Sequence, residues 1–105
     1  MQRGEVWWAT LPSPAGGRPV LLLSRNEAYA VRALVTVAPL TTRIRDIPSE
    51  VSLGTADGLP KRCVVNLDTI TTVPKQALAR RIAALAPLKL AAVDRAIKFS
   101  LGLSS

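Results

Sequence analysis

Two clusters of turn residues constrain the fold of this 105-residue chain more than any other feature of its sequence. The first cluster is Pro12-Ser-Pro-Ala-Gly-Gly17, and the second is Gly54-Thr-Ala-Asp-Gly-Leu-Pro60. Runs of glycine, proline and small polar residues mark turns and loops between regular elements. The segments beside the two clusters are short and rich in strand-forming residues, so the chain is predicted to form short strands joined by turns.

About six strands are predicted from these segments. The two strands that flank the first turn cluster are expected to form a hairpin with a glycine-rich tip. A polar, basic connection over Arg43–Pro48 is expected to lead into the fourth strand. The predicted strands lie at Glu5–Thr10, Arg18–Ser24, Arg32–Leu40 and Glu50–Leu53, followed by a pair within Cys63–Val73 that bends near residues 66–68.

Two helices are predicted near the end of the chain. A short one is expected over Pro74–Arg80. A longer one is expected to begin at Pro87 and to stop at Gly102, and its apolar stripe consists of Leu90, Val93, Ile97 and Leu101. Residues 1–105 are therefore predicted to form one mainly β domain, a strongly bent antiparallel sheet or small barrel with helices at its side. Since so small a domain buries limited apolar surface, a homodimer is expected.

The charge of the chain points to a polyanionic partner. Fourteen Lys and Arg against seven Asp and Glu give a net charge of +7. Ten of the fourteen are Arg, whose planar guanidinium matches phosphate oxygens. This balance favours nucleic acid or an anionic membrane surface as the partner.

Histidine is absent from the chain, and Cys63 is the only cysteine. These absences exclude His-dependent catalytic triads, paired-His ribonuclease sites and His/Cys zinc sites, so no metal and no cofactor are expected. A single cysteine cannot form a disulfide within the chain, and Met1–Thr10 lacks the pattern of a secretory leader. The apolar runs are too short for a membrane helix. A cytoplasmic protein without a membrane partner is expected.

Five segments, in their order along nearly the whole chain, resemble the MazF/PemK family of toxin endoribonucleases. The segments are Arg3-Gly-Glu-Val-Trp-Trp, Gly17-Arg-Pro-Val-Leu-Leu-Leu-Ser24, Val37-Ala-Pro-Leu-Thr-Thr-Arg43, Ile47-Pro-Ser-Glu-Val and Val65-Asn-Leu-Asp-Thr-Ile-Thr-Thr-Val73. This resemblance implies a dimeric SH3-like barrel that cleaves single-stranded RNA at short motifs without metal and leaves 2′,3′-cyclic phosphate and 5′-hydroxyl ends. It also implies a cognate MazE-like antitoxin, whose flexible acidic and apolar tail competes with RNA, and contact with operator DNA only through the antitoxin complex.

The resemblance also implies site residues. By position, the family's catalytic arginine corresponds to Arg18 and its catalytic threonine to Thr41, with Thr42 as the alternative. The first loop departs from the family pattern, because Ser13-Pro-Ala-Gly-Gly17 is short and uncharged where many relatives carry an acidic residue and Gln. The role of that acidic residue, and the RNA motif that the loop helps to select, do not carry over to this chain.

The residues themselves allow this chemistry and also simpler interpretations. A guanidinium can hold two non-bridging phosphate oxygens, and a threonine hydroxyl can orient a ribose hydroxyl, whereas a strand-end Arg is otherwise a solvated charge and a strand-end Thr a turn cap. Contacts to RNA are expected from Gly17, Thr42, Arg43, Arg25 and Arg45, each of which is otherwise an ordinary turn or surface residue.

The surroundings of the two tryptophans, of an arginine pair and of the single cysteine can also be predicted from the sequence. Trp7 and Trp8 should point to opposite faces of a strand, so that one lies mainly in the core and the other is available to a base, a dimer contact or plain packing. Arg80 and Arg81 are interpreted as solvated residues at a helix end. Cys63 is expected to be buried and without a nucleophilic role.

Two other functions are compatible with parts of this pattern. A non-catalytic SH3-like module that binds nucleic acid fits the net charge equally well. A toxin of the same fold that poisons gyrase, as the related CcdB toxins do, is the other alternative.

Overall fold

The computed structural model of the protein describes residues 1–14 and 16–103. Within these residues the chain forms seven β-strands, two α-helices and two 3-10 turns. The strands are β1 (Glu5–Thr10), β2 (Gly17–Leu22), β3 (Leu34–Thr41), β4 (Glu50–Leu53), β5 (Cys63–Asn66), β6 (Thr71–Pro74) and β7 (Leu78–Ala84). The helices are α1 (Ala28–Val31) and α2 (Pro87–Leu101), and the 3-10 turns span Thr55–Asp57 and Lys75–Ala77.

All strand pairs are antiparallel, in the order β4-β5-β3-β2-β1-β7 with β6 on β3. Strand β3 links the parts of the sheet, since Leu34–Val37 pairs with β6 whereas Leu40 and Thr41 pair with β5. The sheet is therefore open and strongly bent at β3. The predicted mainly β class with a terminal helix is confirmed, and so is the predicted β1–β2 hairpin.

The continuous apolar run of β2 is explained by burial on both faces of its strand. Leu21 belongs to one cluster of buried side chains, which includes Val6, Val65 and Val93. Its neighbours Val20 and Leu22 belong to a second cluster on the opposite face, which includes Tyr29 and Val37. Because alternate side chains of a strand face opposite ways, a strand between two clusters has no polar face.

Helix α2 covers the first of these clusters. Pro87 is its first residue, and Gly102 ends it in the left-handed conformation with φ of 69°. Val93 and Ala96 are buried, and the Ser100 hydroxyl donates a hydrogen bond of 2.8 Å to the carbonyl of Leu67. The prediction for Leu101 is wrong, since its side chain is 58% exposed. The face toward the sheet runs through Ser100, and the next residue points about 100° away from it.

The predicted helix over Pro74–Arg80 is also wrong. Only Lys75–Ala77 forms a 3-10 turn, and the chain then continues as β7. Alanine and arginine favour helices, but the backbone of this segment pairs with β1, and tertiary pairing overrides a weak local propensity. Arg80 and Arg81 therefore lie on an edge strand and not at a helix end.

In the described residues, neither helix is long and apolar enough to cross a membrane.

Candidate active site

A cavity of about 410 Å³ opens where β2 and β3 separate. The β2–β3 ladder pairs Leu22 with Val37 and ends at Val20 opposite Pro39. Beyond that pair β3 leaves β2 and joins β5, with Leu40 opposite Val65. The cavity is lined by Trp8, Gly17, Arg18, Pro19, Leu40, Thr41, Thr42, Leu59, Pro60, Lys61 and Cys63.

Pro19 explains why the strands separate there. The bond from the N–H of Leu23 to the carbonyl of Thr36 sets the hydrogen-bonded pairs of this ladder at every second residue, so the next pair needs an N–H from residue 19, which proline lacks. If the register of Val20 opposite Pro39 is continued by two residues, Arg18 lies opposite Thr41. Directly opposite residues of an antiparallel pair project to the same face. Arg18 and Thr41 lie just beyond the last pair of the ladder, and both line the cavity that opens there.

The hydroxyl of Thr41 has a defined role in the local backbone. Its Oγ1 accepts a hydrogen bond of 3.1 Å from the backbone N–H of Arg43. A hydroxyl that accepts in this way retains its own proton for donation. Thr41 is therefore both the turn cap that its position suggested and a donor on the wall of the cavity.

The lining of the cavity is apolar and cationic. Among the described residues that line it, Arg18 and Lys61 are charged and none is acidic. Cys63 is buried, and burial raises the pKa of its thiol, with Asp57 adding to the rise and Lys61 opposing it. The predicted burial of Cys63 is confirmed, and a raised pKa keeps the thiol in its weakly nucleophilic protonated form.

Trp8 forms part of the cavity wall next to Gly17. It lies opposite Pro19 on β2 and opposite Arg80 on β7. The guanidinium carbon of Arg80 lies 6.0 Å from the centroid of the Trp8 ring. Trp7 packs instead against the second core cluster, as expected for adjacent residues on opposite faces, but both indoles are only partly buried.

Arg18 also lines a second, smaller cavity of about 100 Å³. Its other lining residues are Leu11, Val20, Val37, Pro39, Thr69, Thr71 and Val73. Arg18 therefore lies at the boundary between the two cavities.

Of the sequence-predicted site residues, Gly17, Arg18, Thr41 and Thr42 come together in the larger cavity. Arg43, Arg25 and Arg45 do not line it, and all three are exposed. Arg43 directly follows the Thr pair, whereas Arg25 precedes helix α1, where its carbonyl accepts from the N–H of Ala28. The N–H of Arg45 donates to Glu50 Oε1 over 2.9 Å, which fixes the loop between β3 and β4.

Sequence analysis missed two cations at this site. Lys61 lies just after the second turn cluster, which was interpreted only as a turn, yet it lines the cavity. Arg80 was assigned to a helix, yet it lies over Trp8. The lone lysine after the Gly/Pro segment was the available signal for Lys61. The described ranges 1–14 and 16–103 hold no cluster of three or more His, Cys, Asp or Glu suited to a metal ion.

A family model described as "PemK-like, MazF-like toxin of type II toxin-antitoxin system" matches residues 2–101. The chain belongs to this family. Curated relatives of this MazF-like toxin include "Probable endoribonuclease MazF5" of Mycobacterium tuberculosis, 39% identical over 97% of this chain and 94% of the relative. "Probable endoribonuclease MazF" of Mycolicibacterium smegmatis is 31% identical over 99% of each chain.

Solved structures have the same fold as this MazF-like chain. "Mycobacterium tuberculosis toxin MazF-mt6" superposes with a TM-score of 0.89 and 33% identity, covering 96% of this chain and 99% of that one. A structure described as "Endoribonuclease in complex with its cognate antitoxin from Mycobacterial species" has a TM-score of 0.88 and 30% identity, covering 100% of this chain and 98% of that one.

Proposed function

We propose that this MazF-family endoribonuclease toxin cleaves single-stranded RNA at short sequence motifs, without a metal ion, and leaves 2′,3′-cyclic phosphate and 5′-hydroxyl ends. Residues 1–105 act as one toxin domain. The observation that carries the proposal is the cavity that Arg18 and Thr41 both line, just beyond the point where the β2–β3 ladder ends.

In the proposed reaction, RNA supplies its own nucleophile. The 2′-hydroxyl oxygen attacks the adjacent phosphorus and loses its proton to water, the bond from phosphorus to O5′ breaks, and O5′ takes up a proton from water. Negative charge develops on the non-bridging oxygens, where donors fixed in advance have their largest effect. The Arg18 guanidinium donates hydrogen bonds to those oxygens and stabilises the charge that develops on the leaving oxygen.

Thr41 is the second residue that holds the phosphodiester in this proposal. The hydrogen bond from Arg43 N–H orients its hydroxyl, so that the remaining O–H can donate to a phosphate oxygen or to the reacting ribose. Holding the reacting groups in line accounts for a large part of the barrier reduction in such reactions. Thr42 lines the same cavity and contacts the RNA backbone in this proposal.

The proposed backbone contacts of the RNA follow the charge of the chain. The backbone of Gly17, which lines the cavity, contacts a phosphate in this proposal, and the exposed Arg43, Arg45 and Arg25 bind phosphates further along. The absence of acidic residues from the cavity lining supports a polyanionic ligand. A purely non-catalytic module would not require a hydroxyl opposite the guanidinium, and the names of the relatives favour RNA cleavage over gyrase poisoning.

A cognate antitoxin and a homodimer belong to the same proposal. The solved relatives include a toxin bound to its cognate antitoxin and the MazE-MazF complexes of Deinococcus radiodurans. An acidic and apolar segment of a MazE-like antitoxin would suit the apolar, cationic cavity, and operator DNA would be contacted only through that complex. The exposed Phe99 and Leu101 at the end of α2, with Leu103 after it, favour a covered interface between two copies.

In this proposal the toxin meets both the antitoxin and a second copy of itself in the cytoplasm. Growth restored by co-expression of a neighbouring small protein would support the antitoxin, and a sedimentation mass of one chain at micromolar concentration would contradict the dimer.

Incubation of the purified toxin with mixed-sequence RNA in excess EDTA tests the cleavage. Fragments whose mapped 5′ ends share a short motif are expected from the wild type and not from Arg18→Ala. RNA that stays intact at all concentrations where the dimer forms would contradict the proposal.

A further inference from the structure

We propose that Trp8 is the stacking platform for one unpaired nucleobase, the base next to the phosphodiester that Arg18 holds. This inference rests on the proposed RNA cleavage and adds the element that reads a base. Trp8 and Arg18 line the same cavity, and the cavity volume of about 410 Å³ lies within the range of small-ligand sites. Stacking on aromatic side chains is a common way for proteins to hold unpaired bases.

The position of the Trp8 ring depends on the absence of a side chain at residue 17. A Cβ added to Gly17 would lie 2.5 Å from Cζ2 of Trp8 and 2.9 Å from both Cε2 and Nε1. No real Cβ packs so closely against a rigid ring, so any larger residue at position 17 would displace the indole. Gly17 thus seats the ring against the start of β2, beside Arg18.

Arg80 lies against the same indole from the neighbouring strand. Its guanidinium carbon is 6.0 Å from the ring centroid, at the outer edge of cation–π distance. The cross-strand pairing of Trp8 with Arg80 maintains this contact. The indole therefore packs against the start of β2, and the exposed Arg80 on β7 brings a positive charge near the base and its phosphate.

The two indoles of β1 differ in their hydrogen bonds. Trp7 Nε1 donates to Glu5 Oε1 over 2.9 Å, which occupies its donor. Trp8 Nε1 has no acceptor among the residues that the structure describes. Buried or half-buried indole N–H groups usually find an acceptor, and a base edge entering the cavity would supply one. Lys61, which lines the same cavity, adds a further donor.

This arrangement makes Trp8 a residue that contacts substrate and not only a packing residue. A base can stack in the cavity only when it is out of a duplex, so the platform also explains a requirement for single-stranded RNA. Trp7 is the matched control, because it is the same residue type on the same strand but packs on the opposite face against the second core cluster.

The first experiment observes binding without catalysis. Trp7→Phe leaves Trp8 as the sole tryptophan, and Trp8→Phe leaves Trp7 as the sole tryptophan. Each variant is titrated with short mixed-sequence oligonucleotides whose 2′-hydroxyls are all methylated, so that no cut can occur. Saturable quenching of the Trp8 fluorescence is expected, with little change in that of Trp7. Saturable binding by anisotropy without a change in Trp8 fluorescence, or absence of binding, would overturn the inference.

The second experiment measures cleavage. Trp8→Leu is expected to lower kcat/KM for RNA about tenfold or more, whereas Trp8→Phe retains a stacking ring but not the indole N–H and should lose clearly less activity than Trp8→Leu. Gly17→Ala, which displaces the ring, should also reduce cleavage. Thermal unfolding of each variant separates loss of fold from loss of the platform. Equal cleavage by Trp8→Leu and Trp8→Phe would overturn the inference while the cleavage proposal stands.

Failure of the cleavage proposal can be distinguished from failure of the stacking platform. Quenching of Trp8 by methylated RNA, together with a wild type that leaves unmodified RNA intact, would overturn the proposed cleavage and support the platform.

Discussion

Pro19 determines the site at the scale of a single residue, although it carries no reactive chemistry. It lacks the N–H that the next hydrogen-bonded pair of the β2–β3 ladder needs, and the ladder ends at Val20 opposite Pro39. Arg18 and Thr41 lie just beyond this end, on the two sides of the gap. A continuous ladder would have drawn the strands together and closed the cavity between them.

The two threonines of the cavity are predicted to differ. Thr41→Val removes the hydroxyl that Arg43 N–H orients, so we expect RNA cleavage to fall by about 10²-fold. Thr42→Val should cost less than about tenfold, because Thr42 is assigned only a backbone contact. Single-turnover rates on one RNA with a mapped motif compare the two variants. A larger loss in Thr42→Val would transfer the catalytic role to that residue.

Tyr29 is predicted to make stability depend on pH in the alkaline range. Burial raises the pKa of its hydroxyl from 10.0 to about 12, and the hydroxyl donates a hydrogen bond to the carbonyl of Ser24 over 2.9 Å. Because the folded pKa is the higher one, the stabilisation is fully present below about pH 10 and is lost as pH rises through about 12.

Urea unfolding between these pH values measures this effect. The free energy of unfolding of the wild type should fall more steeply with pH than that of Tyr29→Phe, which has no tyrosine left to titrate. Parallel pH profiles for the two proteins would contradict the burial argument.

At the scale of elements, the loop between β3 and β4 is held by a single carboxylate. Glu50 Oε1 accepts from the N–H of Arg45 at 2.9 Å and of Asp46 at 3.0 Å. Asp46 has φ of 60°, a conformation that non-glycine residues adopt rarely and at some cost. These bonds fix the strained loop, which carries two of the proposed RNA-binding arginines.

Glu50→Ala is predicted to release this loop. We expect the free energy of unfolding to fall by about 1–3 kcal/mol and the KM for RNA to rise more than kcat falls, since Arg43 and Arg45 lose their fixed positions. Glu27→Ala is a surface control and should change stability by less than about 0.5 kcal/mol. An unchanged KM in Glu50→Ala would show that the fixed position of this loop does not contribute to RNA binding.

Helix α2 provides a second prediction at this scale. Val93 is fully buried against the first core cluster, so Val93→Ala should lower the free energy of unfolding by about 1–3 kcal/mol. Leu88 lies on the same helix and is 86% exposed, so Leu88→Ala should change it by less than about 0.5 kcal/mol. If urea unfolding gave equal losses of unfolding free energy for Val93→Ala and Leu88→Ala, the helix would pack through another face.

The elements were predictable from the sequence where local signals agreed with tertiary pairing. The strands at Glu5–Thr10 and Glu50–Leu53 and the start of α2 at Pro87 carry such signals, and the structure has them at the predicted bounds. Strand β7 does not, because its alanines and arginines favour a helix and only the pairing with β1 makes it a strand. Helix α1 was not predicted, since its four residues carry no periodic pattern.

At the scale of the whole molecule, the site combines residues that are distant in sequence. The hydroxyl and guanidinium pair was assigned from family resemblance and meets in one cavity, whereas Lys61 and Arg80 join the site only through the bend of the sheet. No local pattern encodes that bend. The net charge of +7 could be read directly from the composition. Only the fold shows that the described residues lining the cavity include Arg18 and Lys61 and no acidic residue.

The most direct test of the account uses one RNA that contains the mapped motif, prepared with a normal ribose or with a 2′-deoxyribose at the scissile position. In excess EDTA, the wild-type toxin should convert the normal RNA to a 2′,3′-cyclic phosphate and a 5′-hydroxyl fragment and leave the 2′-deoxy RNA intact. Arg18→Ala, which changes an exposed residue, should retain its thermal stability and cut the normal RNA about 10²- to 10³-fold more slowly. Cleavage of the 2′-deoxy RNA at the same bond, or wild-type rates in Arg18→Ala, would contradict the claim that Arg18 holds a phosphodiester for attack by its own ribose.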